Sequence, residues 1–178
     1  MAWASRRTTL KAEDRSYSLF GLFGVYMPML YGEGGEHAFF RLQQEIIKIT
    51  NDHSIFAWKG VKEPCGLLAT NIEAFEDCHN TVKRSGKVEP FTMTNAGLQI
   101  YLSLRPYAIG VYVGLLESSV IRDSPLRHDI AKIFLEKSES DNNYMRISME
   151  QQDFQISKPL SSPWMEDKFT REVPIYIS

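Results

Sequence analysis

A glycine-rich loop followed by a helical pattern, residues 27–50, constrains the fold of this chain more than any other stretch. Pro28 fixes its own backbone dihedral angle and disfavours helix at the residue before it. Gly32, Gly34 and Gly35 then permit tight or left-handed backbone. Beyond the glycines, apolar residues recur with helical spacing. The stretch therefore predicts a loop that delivers an amphipathic helix onto a core.

The helix of this stretch carries one apolar stripe. The stripe consists of Phe39, Leu42, Ile46 and Ile49. Spacings of three and four residues place these side chains on one face, and such a face normally packs against a core. The alternative interpretation is a glycine loop that holds an anion at the helix N-terminus. It is disfavoured because no Lys-Ser or Lys-Thr pair follows the glycines, and because Glu33 and Glu36 would repel phosphate.

The segment before the loop predicts a second helix. Thr8 and Thr9 are good N-terminal caps for a helix that begins near Leu10, and Gly21 is suited to end it. Residues 8–58 would then form two helices joined by a glycine-rich connection.

After residue 58 the pattern changes from helix to strand. Thr70 and Glu73 have the spacing of a capping box at the start of a short helix. From Leu98 onward apolar residues alternate with polar ones, which is the period of a half-buried strand. The predicted strands cover residues 98–104, 108–116, 130–136, 144–149 and 173–177.

These strands predict a sheet packed on a core. The side chains expected to face the core from the first strand are Leu98, Ile100, Leu102 and Leu104. Met145, Ile147 and Met149 alternate in the fourth strand, which a turn at residues 141–143 should begin. Pro174 favours an edge position for the last strand. The predicted class is α+β: an N-terminal helical segment, then an antiparallel β-sheet that is sandwich- or barrel-like.

Charge and composition narrow the function classes. The 178 residues suit one or two small domains, and a net charge of −2 gives no electrostatic footprint for nucleic acid. No apolar run reaches the length needed to cross a membrane, and the N-terminus lacks the apolar stretch of a secretory signal. Cys65 and Cys78 are therefore expected to stay reduced. These observations predict a cytoplasmic chain that binds neither nucleic acid nor membrane.

No constellation of catalytic or metal-binding residues can be recognised. The four histidines are scattered, and neither a His-x-x-x-His nor a Cys-x-x-Cys pattern occurs. A Gly-x-Ser-x-Gly elbow is also absent. Glu13 and Asp14 are adjacent on the predicted helix, so their side chains point about 100° apart and form a poor acid–base pair. The sequence therefore predicts no catalytic residue, no metal and no cofactor.

An ordered series of motifs in the first third of the chain carries a resemblance to a known family. The motifs occupy residues 6–9, 13–14, 17–19, 21–23, 27–34, 38–39, 41–43 and 45–47. In this order they resemble the segment that closes the heterokaryon-incompatibility domain of filamentous fungi. Residues 52–58 resemble the hinge that follows it. Beyond the hinge, residues 66–69, 93–95 and 97–98 look like the domain of unassigned function that often follows in such proteins.

The chain also departs from the family pattern. Gly24 stands where the family usually has Asp, and Tyr26 where it usually has Asn, so a polar role for this turn is not implied here. The family's earlier blocks, which include a Trp-Gly pair and a Trp-Ile-Asp stretch, are absent from this sequence. The resemblance implies two domains: residues 1–58, the helical C-terminal remnant of an incompatibility domain, and residues 59–178, a mostly β module.

The resemblance implies non-self recognition and the cell death that follows fusion of unlike hyphae, exerted through protein interaction. The motif residues expected to take part are Arg7, Glu13, Asp14, Pro28, Tyr31, Gly32, Glu33 and Gly34. The helix stripe is expected to stay incompletely covered within the chain. It would then bind a protein partner or a second copy of the chain.

Two alternatives stay open from the sequence. The complete incompatibility domain is thought to resemble the TIR signalling fold, and some TIR domains cleave nicotinamide dinucleotides. This chain would then be part of a TIR-like NAD-cleaving enzyme whose catalytic half is missing, with Arg7 or Glu13 contributing to the site. The second alternative is a truncated product with no independent role. On the favoured interpretation the chain is not an enzyme.

Overall fold

A computed structural model describes residues 1–60, 64–84, 88–121, 128–139, 143–148 and 171–177. The described residues form helices at the N-terminal end and strands in the remainder. The α-helices are α1 (Ala2–Ser5), α2 (Asp14–Tyr17), α3 (Phe20–Phe23) and α4 (Gly35–Ile49). Two 3-10 helices follow them, at His53–Phe56 and Ile72–Phe75.

The predicted first helix is shorter than the sequence suggests. Leu10 is fully exposed, and helix begins only at Asp14. The Thr9 hydroxyl donates to the Lys11 carbonyl at 2.6 Å, which makes a local turn in place of a helix cap. Gly21 lies inside α3, whereas Gly24 ends it in a left-handed conformation with φ of 64°. The predicted N-terminal cap at Thr8 or Thr9 and the predicted helix end at Gly21 were therefore wrong. The Thr9 side chain forms a local turn instead, and Gly24 ends the helix.

The long helix α4 matches the prediction, but its stripe does not stay uncovered. Phe39, Leu42 and Ile46 are buried inside the chain, and Ile49 alone of the four is exposed. The Phe39 ring meets Phe75 edge-on, with 6.1 Å between ring centroids. Phe75 lies 36 residues after Phe39 in the chain, so this cover comes from a distant segment. The expectation that this face stays uncovered is thus wrong at three of its four residues, while binding of a partner through it stays a prediction.

Gln43 ties α4 to the segment that covers it. Its amide nitrogen donates to the Ala69 carbonyl at 2.7 Å, and its amide oxygen accepts the Ala69 N–H at 2.9 Å. The 3-10 helix that follows, Ile72–Phe75, has Asn71 as its N-terminal cap, and the Asn71 side chain accepts the Ala74 N–H. The cap is therefore Asn71, and the predicted capping box starting at Thr70 was displaced by one residue.

Seven strands among the described residues form one sheet. They are β1 (Thr81–Lys83), β2 (Thr92–Thr94), β3 (Gly97–Ala108), β4 (Val111–Ile121), β5 (His128–Lys137), β6 (Asn143–Ile147) and β7 (Arg171–Ile177). The order is β1-β4-β5-β6-β7-β3-β2, with a further pairing between β3 and β4. Every pairing is antiparallel except β6 with β7. The α+β class is confirmed, and the sheet is ring-like without being a barrel.

Some strands begin or end at residues other than those predicted from the sequence. Gly110, with φ of 74°, lies in the turn between β3 and β4, so the strand predicted from 108 begins at Val111 and continues to Ile121. β7 lies between β6 and β3, not at an edge. Its pairing with β6 covers only two residue pairs at its C-terminal end, so among the described residues only β3 pairs with β7 at Pro174. Residues 141, 142 and 149 of the predicted hairpin and strand lie outside the described residues.

The alternation of β3 is confirmed, whereas that of β6 is reversed. Leu98, Ile100, Leu102 and Leu104 are all buried, as predicted. In β6 it is Tyr144 and Arg146 that are buried, while Met145 is exposed. The prediction assumed that the apolar methionine faces inward; the structure buries the charged residue because it has hydrogen-bond partners inside.

Arg146 fixes the hinge segment to the sheet. Its guanidinium donates to the Phe56 carbonyl at 2.8 Å and to the Trp58 carbonyl. It also lies 3.8 Å from the centroid of the Trp58 ring. Burial lowers the pKa of Arg146 to about 10, so the side chain remains a cation at neutral pH. The Arg146 backbone exchanges two hydrogen bonds with Cys65, at 2.7 and 2.9 Å.

The hydrophobic core is continuous along the chain. Side chains from both predicted domains enter it, from Ala4 to Ile177. Cys65 and Cys78 are free thiols, and burial raises the pKa of both. Among the described residues no helix is both long and apolar enough to cross a membrane.

We expect replacement of Ile100 by Ala to lower the free energy of unfolding by roughly 2–5 kcal/mol, since a fully buried side chain leaves a cavity. Replacement of its neighbour Gln99, which points to the other face, should cost little. Urea melts of both variants measure the difference. Equal, small effects at the two positions would contradict the strand assignment.

Candidate functional site

The candidate site is the loop of residues 27–34, here called the motif loop, with the side chains that hold it. Gly32 and Gly34 have φ of 99° and 86°. Residues with a Cβ atom rarely adopt such backbone angles, so both positions require glycine. Gly35 begins α4, and a Cβ there would lie 3.1 Å from that of Ala12. The backbone where the loop meets α4 therefore packs closely against the segment before α2.

Glu13 holds the glycine end of the loop. One of its carboxylate oxygens accepts the Gly32 N–H at 2.8 Å and the Gly34 N–H at 3.1 Å. These bonds and one from its own backbone N–H lower the pKa of the buried Glu13 carboxyl. The amides that could have bound an external anion thus bind a carboxylate of the chain itself. This agrees with the weak case for phosphate binding made from the sequence.

Tyr17 holds the other end of the loop. Its hydroxyl accepts the Leu30 N–H at 2.8 Å and donates to the Glu33 carboxylate at 2.7 Å. Glu33 in turn pairs with Arg41 of α4 at 2.5 Å, and that hydrogen bond lowers the pKa of Glu33. Arg41 also donates to the Pro28 carbonyl at 2.9 Å. Burial raises the pKa of Tyr17, so its hydroxyl stays protonated as the network requires.

Tyr31 closes the outer side of the network. Its hydroxyl donates to Asp14 at 2.9 Å, and this bond raises the pKa of Tyr31. The Lys11 ammonium lies 3.9 Å from the centroid of the Tyr31 ring, a cation–π geometry. The Tyr31 ring also meets the edge of Tyr17 at 5.7 Å. The outer side is therefore held by aromatic contacts as well as by hydrogen bonds.

The structure brings together seven of the eight motif residues named from the sequence. The seven are Glu13, Asp14, Pro28, Tyr31, Gly32, Glu33 and Gly34. Arg7 lies just after α1, where its N–H donates to the Ala4 carbonyl at 3.2 Å. Sequence reasoning missed Tyr17 and Arg41 as site residues. Glu33 precedes α4 and Arg41 lies within it, so no helical i,i+3 or i,i+4 spacing in the sequence indicated this ion pair.

Apolar side chains of the motif loop point outward while its polar groups point inward. Within the loop Met29 is 59% exposed and Leu30 and Tyr31 are about half exposed, and Tyr26, just before the loop, is 92% exposed. Phe40, on the outer side of α4, is also exposed. Glu13 is already bound to loop amides and Glu33 to the side chains of Tyr17 and Arg41. No cluster of three metal-ligating side chains occurs among the described residues. The arrangement suits contact with another protein surface better than proton transfer.

Comparisons with known proteins match parts of the chain. Residues 37–104 match a family described as a domain of unknown function (DUF8212). This span begins in α4 and ends in β3, so it crosses residue 58, and the division there stays a prediction. The vegetative incompatibility protein HET-E-1 of Podospora anserina is 52% identical over 48 residues, which is 27% of this chain. The aligned part is 4% of that relative's length. No solved structure matches the chain.

Replacing Tyr17 by Phe should lower the free energy of unfolding by roughly 1–3 kcal/mol, because the Leu30 N–H and Glu33 each lose a hydrogen-bond partner. Tyr26→Phe removes the same hydroxyl from an exposed ring and serves as the matched control. Thermal melts compare the variants. Hydrogen exchange at the Leu30 amide should accelerate in Tyr17→Phe only; an unchanged rate there would contradict the assigned role.

Proposed function

We propose that this chain acts in fungal vegetative incompatibility, in non-self recognition and cell-death signalling, through protein interaction in the cytoplasm. The observation that carries the proposal is the 52% identity over 48 residues with a vegetative incompatibility protein. The fold is a second support, because motif residues meet in the one hydrogen-bonded network that holds the motif loop. The activity and partners of the much longer relative are not transferred beyond this class of function.

The proposed contact surface is the outer side of the motif loop. Its backbone is held by Glu13, Tyr17 and Arg41 from within, so an approaching partner meets a preformed surface and little ordering entropy opposes binding. Met29 and Leu30 present apolar area there. This surface takes the place of the α4 stripe, three of whose four side chains are buried, as the contact for a protein partner or a second copy.

The test is expression of the chain in Podospora anserina from an inducible promoter, with hyphal death scored by a vital dye. We expect wild-type chain to kill and the double variant Met29→Ser, Leu30→Ser to lose this effect at equal abundance by immunoblot. Ile109→Ser is the matched control, because Ile109 is a fully exposed apolar residue in the β3–β4 turn. Equal death with the loop variant, or no death with wild type, would contradict the proposal.

We propose further that the chain by itself is not an NAD-cleaving enzyme. The support is the state of Glu13: its carboxylate accepts two loop amides and is buried, so it is poorly placed to act on a ligand. Purified chain incubated with NAD should release no nicotinamide above the buffer rate. Turnover that survives Glu36→Gln, a change at an exposed carboxylate of α4, but disappears with Glu13→Gln would support the enzymatic alternative instead.

A further inference from the structure

Among the described strands, β2 ends the sheet and has an unpaired edge. Within the described residues it pairs with β3 alone, with Met93 opposite Leu98 and Thr94 opposite Gly97. Thr94 and Gly97 flank a two-residue turn, so they form the hydrogen-bonded pair that closes the hairpin. Because such pairs alternate along an antiparallel ladder, the N–H and C=O of Met93 point away from β3. They face the open edge.

A groove runs along this edge, between β2 and the C-terminal half of α4. It encloses about 490 Å³ and is lined by Gln44, Ile47, Lys48, Asn51, Pro90, Phe91, Thr92 and Met93. Ile47 and Phe91 are buried and give the groove an apolar floor. The opposite wall includes Gln44 of α4 and Asn51, which follows the end of that helix. An edge strand beside an apolar floor is the geometry that accepts an added strand.

The residues that line the groove carry charge of one sign. Lys48 is the one charged residue among those that line it, so the lining holds a cation and no carboxylate. The Lys48 ammonium is 2.6 Å from Glu45 on the same helix, and its side chain is 63% exposed. An exposed pair of this kind is worth little, so a carboxylate from a partner can take the place of Glu45 without a large loss.

We propose that this groove binds an extended, acidic peptide segment of a partner protein, which adds a strand to β2. The segment's backbone bonds to the N–H and C=O of Met93. An apolar side chain rests on Ile47 and Phe91, and a carboxylate meets Lys48. The groove lies beside the last turns of α4, whereas the motif loop precedes the first turn of that helix. The two are separated by about 20 Å at 1.5 Å per residue, so this site is distinct from the proposed loop surface.

Selection of a phage-displayed random nonapeptide library on the purified chain tests the proposal. We expect wild-type-selective clones that contain Asp or Glu. Fluorescence anisotropy of a selected synthetic peptide should show affinity reduced about tenfold or more, about 1.4 kcal/mol, in Met93→Pro and in Lys48→Glu. Met93→Ala keeps the N–H, and Lys132→Glu reverses an exposed charge on β5; both should bind as wild type does.

Other outcomes would overturn the proposal. These are a library that yields no clone preferring wild type over Lys48→Glu, clones without carboxylates, or binding that neither variant weakens. Sedimentation distinguishes a second copy as the occupant: a wild-type dimer that Met93→Pro dissociates would show that two β2 edges pair with each other. Lys48 is exposed, so its variant keeps the test decisive even if proline at residue 93 disturbs the hairpin.

Discussion

A buried guanidinium joins the helical end of this chain to its sheet. Burying a charge is costly unless hydrogen bonds compensate it, and Arg146 meets this requirement with two backbone carbonyls and the face of Trp58. Those carbonyls belong to the segment that leaves α4, so the cation determines where the hinge lies on β6. Without it, the Phe56 and Trp58 carbonyls would lose their buried donors. The position of α4, and of everything α4 supports, depends on this contact.

The motif loop follows the same rule with the opposite charge. Consecutive N–H groups that point into one concavity attract an anion, and here the anion is Glu13. Tyr17 and Arg41 complete the arrangement from α2 and α4. Glu13 therefore binds backbone amides of the loop, and Glu33 binds the side chains of Tyr17 and Arg41. A cluster of acidic and aromatic motif residues, which in isolation resembles catalytic machinery, serves here to make one loop conformation stable.

What could be predicted from the sequence follows the range of the interactions. The α4 pattern and the alternation of β3 depend on neighbours within one element, and both were correct. The inward face of β6 was wrong because it depends on carbonyls about 90 residues away, which turn a charged side chain into a core residue. The cover over Phe39 was missed for the same reason, since Phe75 reaches it through tertiary folding, as Ala69 reaches Gln43. In the candidate site, the motif residues were recognised, but the Tyr17 hydroxyl that links them was not.

The loop's exposed side chains pose a different physical question from the buried stripe. Phe39, Leu42 and Ile46 are apolar because the core requires it. Tyr26, Met29 and Leu30 have no such role, since backbone bonds and polar side chains already hold the loop. A single exposed apolar residue needs no explanation, but several on one short loop with a fixed backbone form a surface whose chemistry the fold does not dictate. That surplus apolar area is the physical basis on which we propose protein contact, rather than ligand chemistry, for the motif loop.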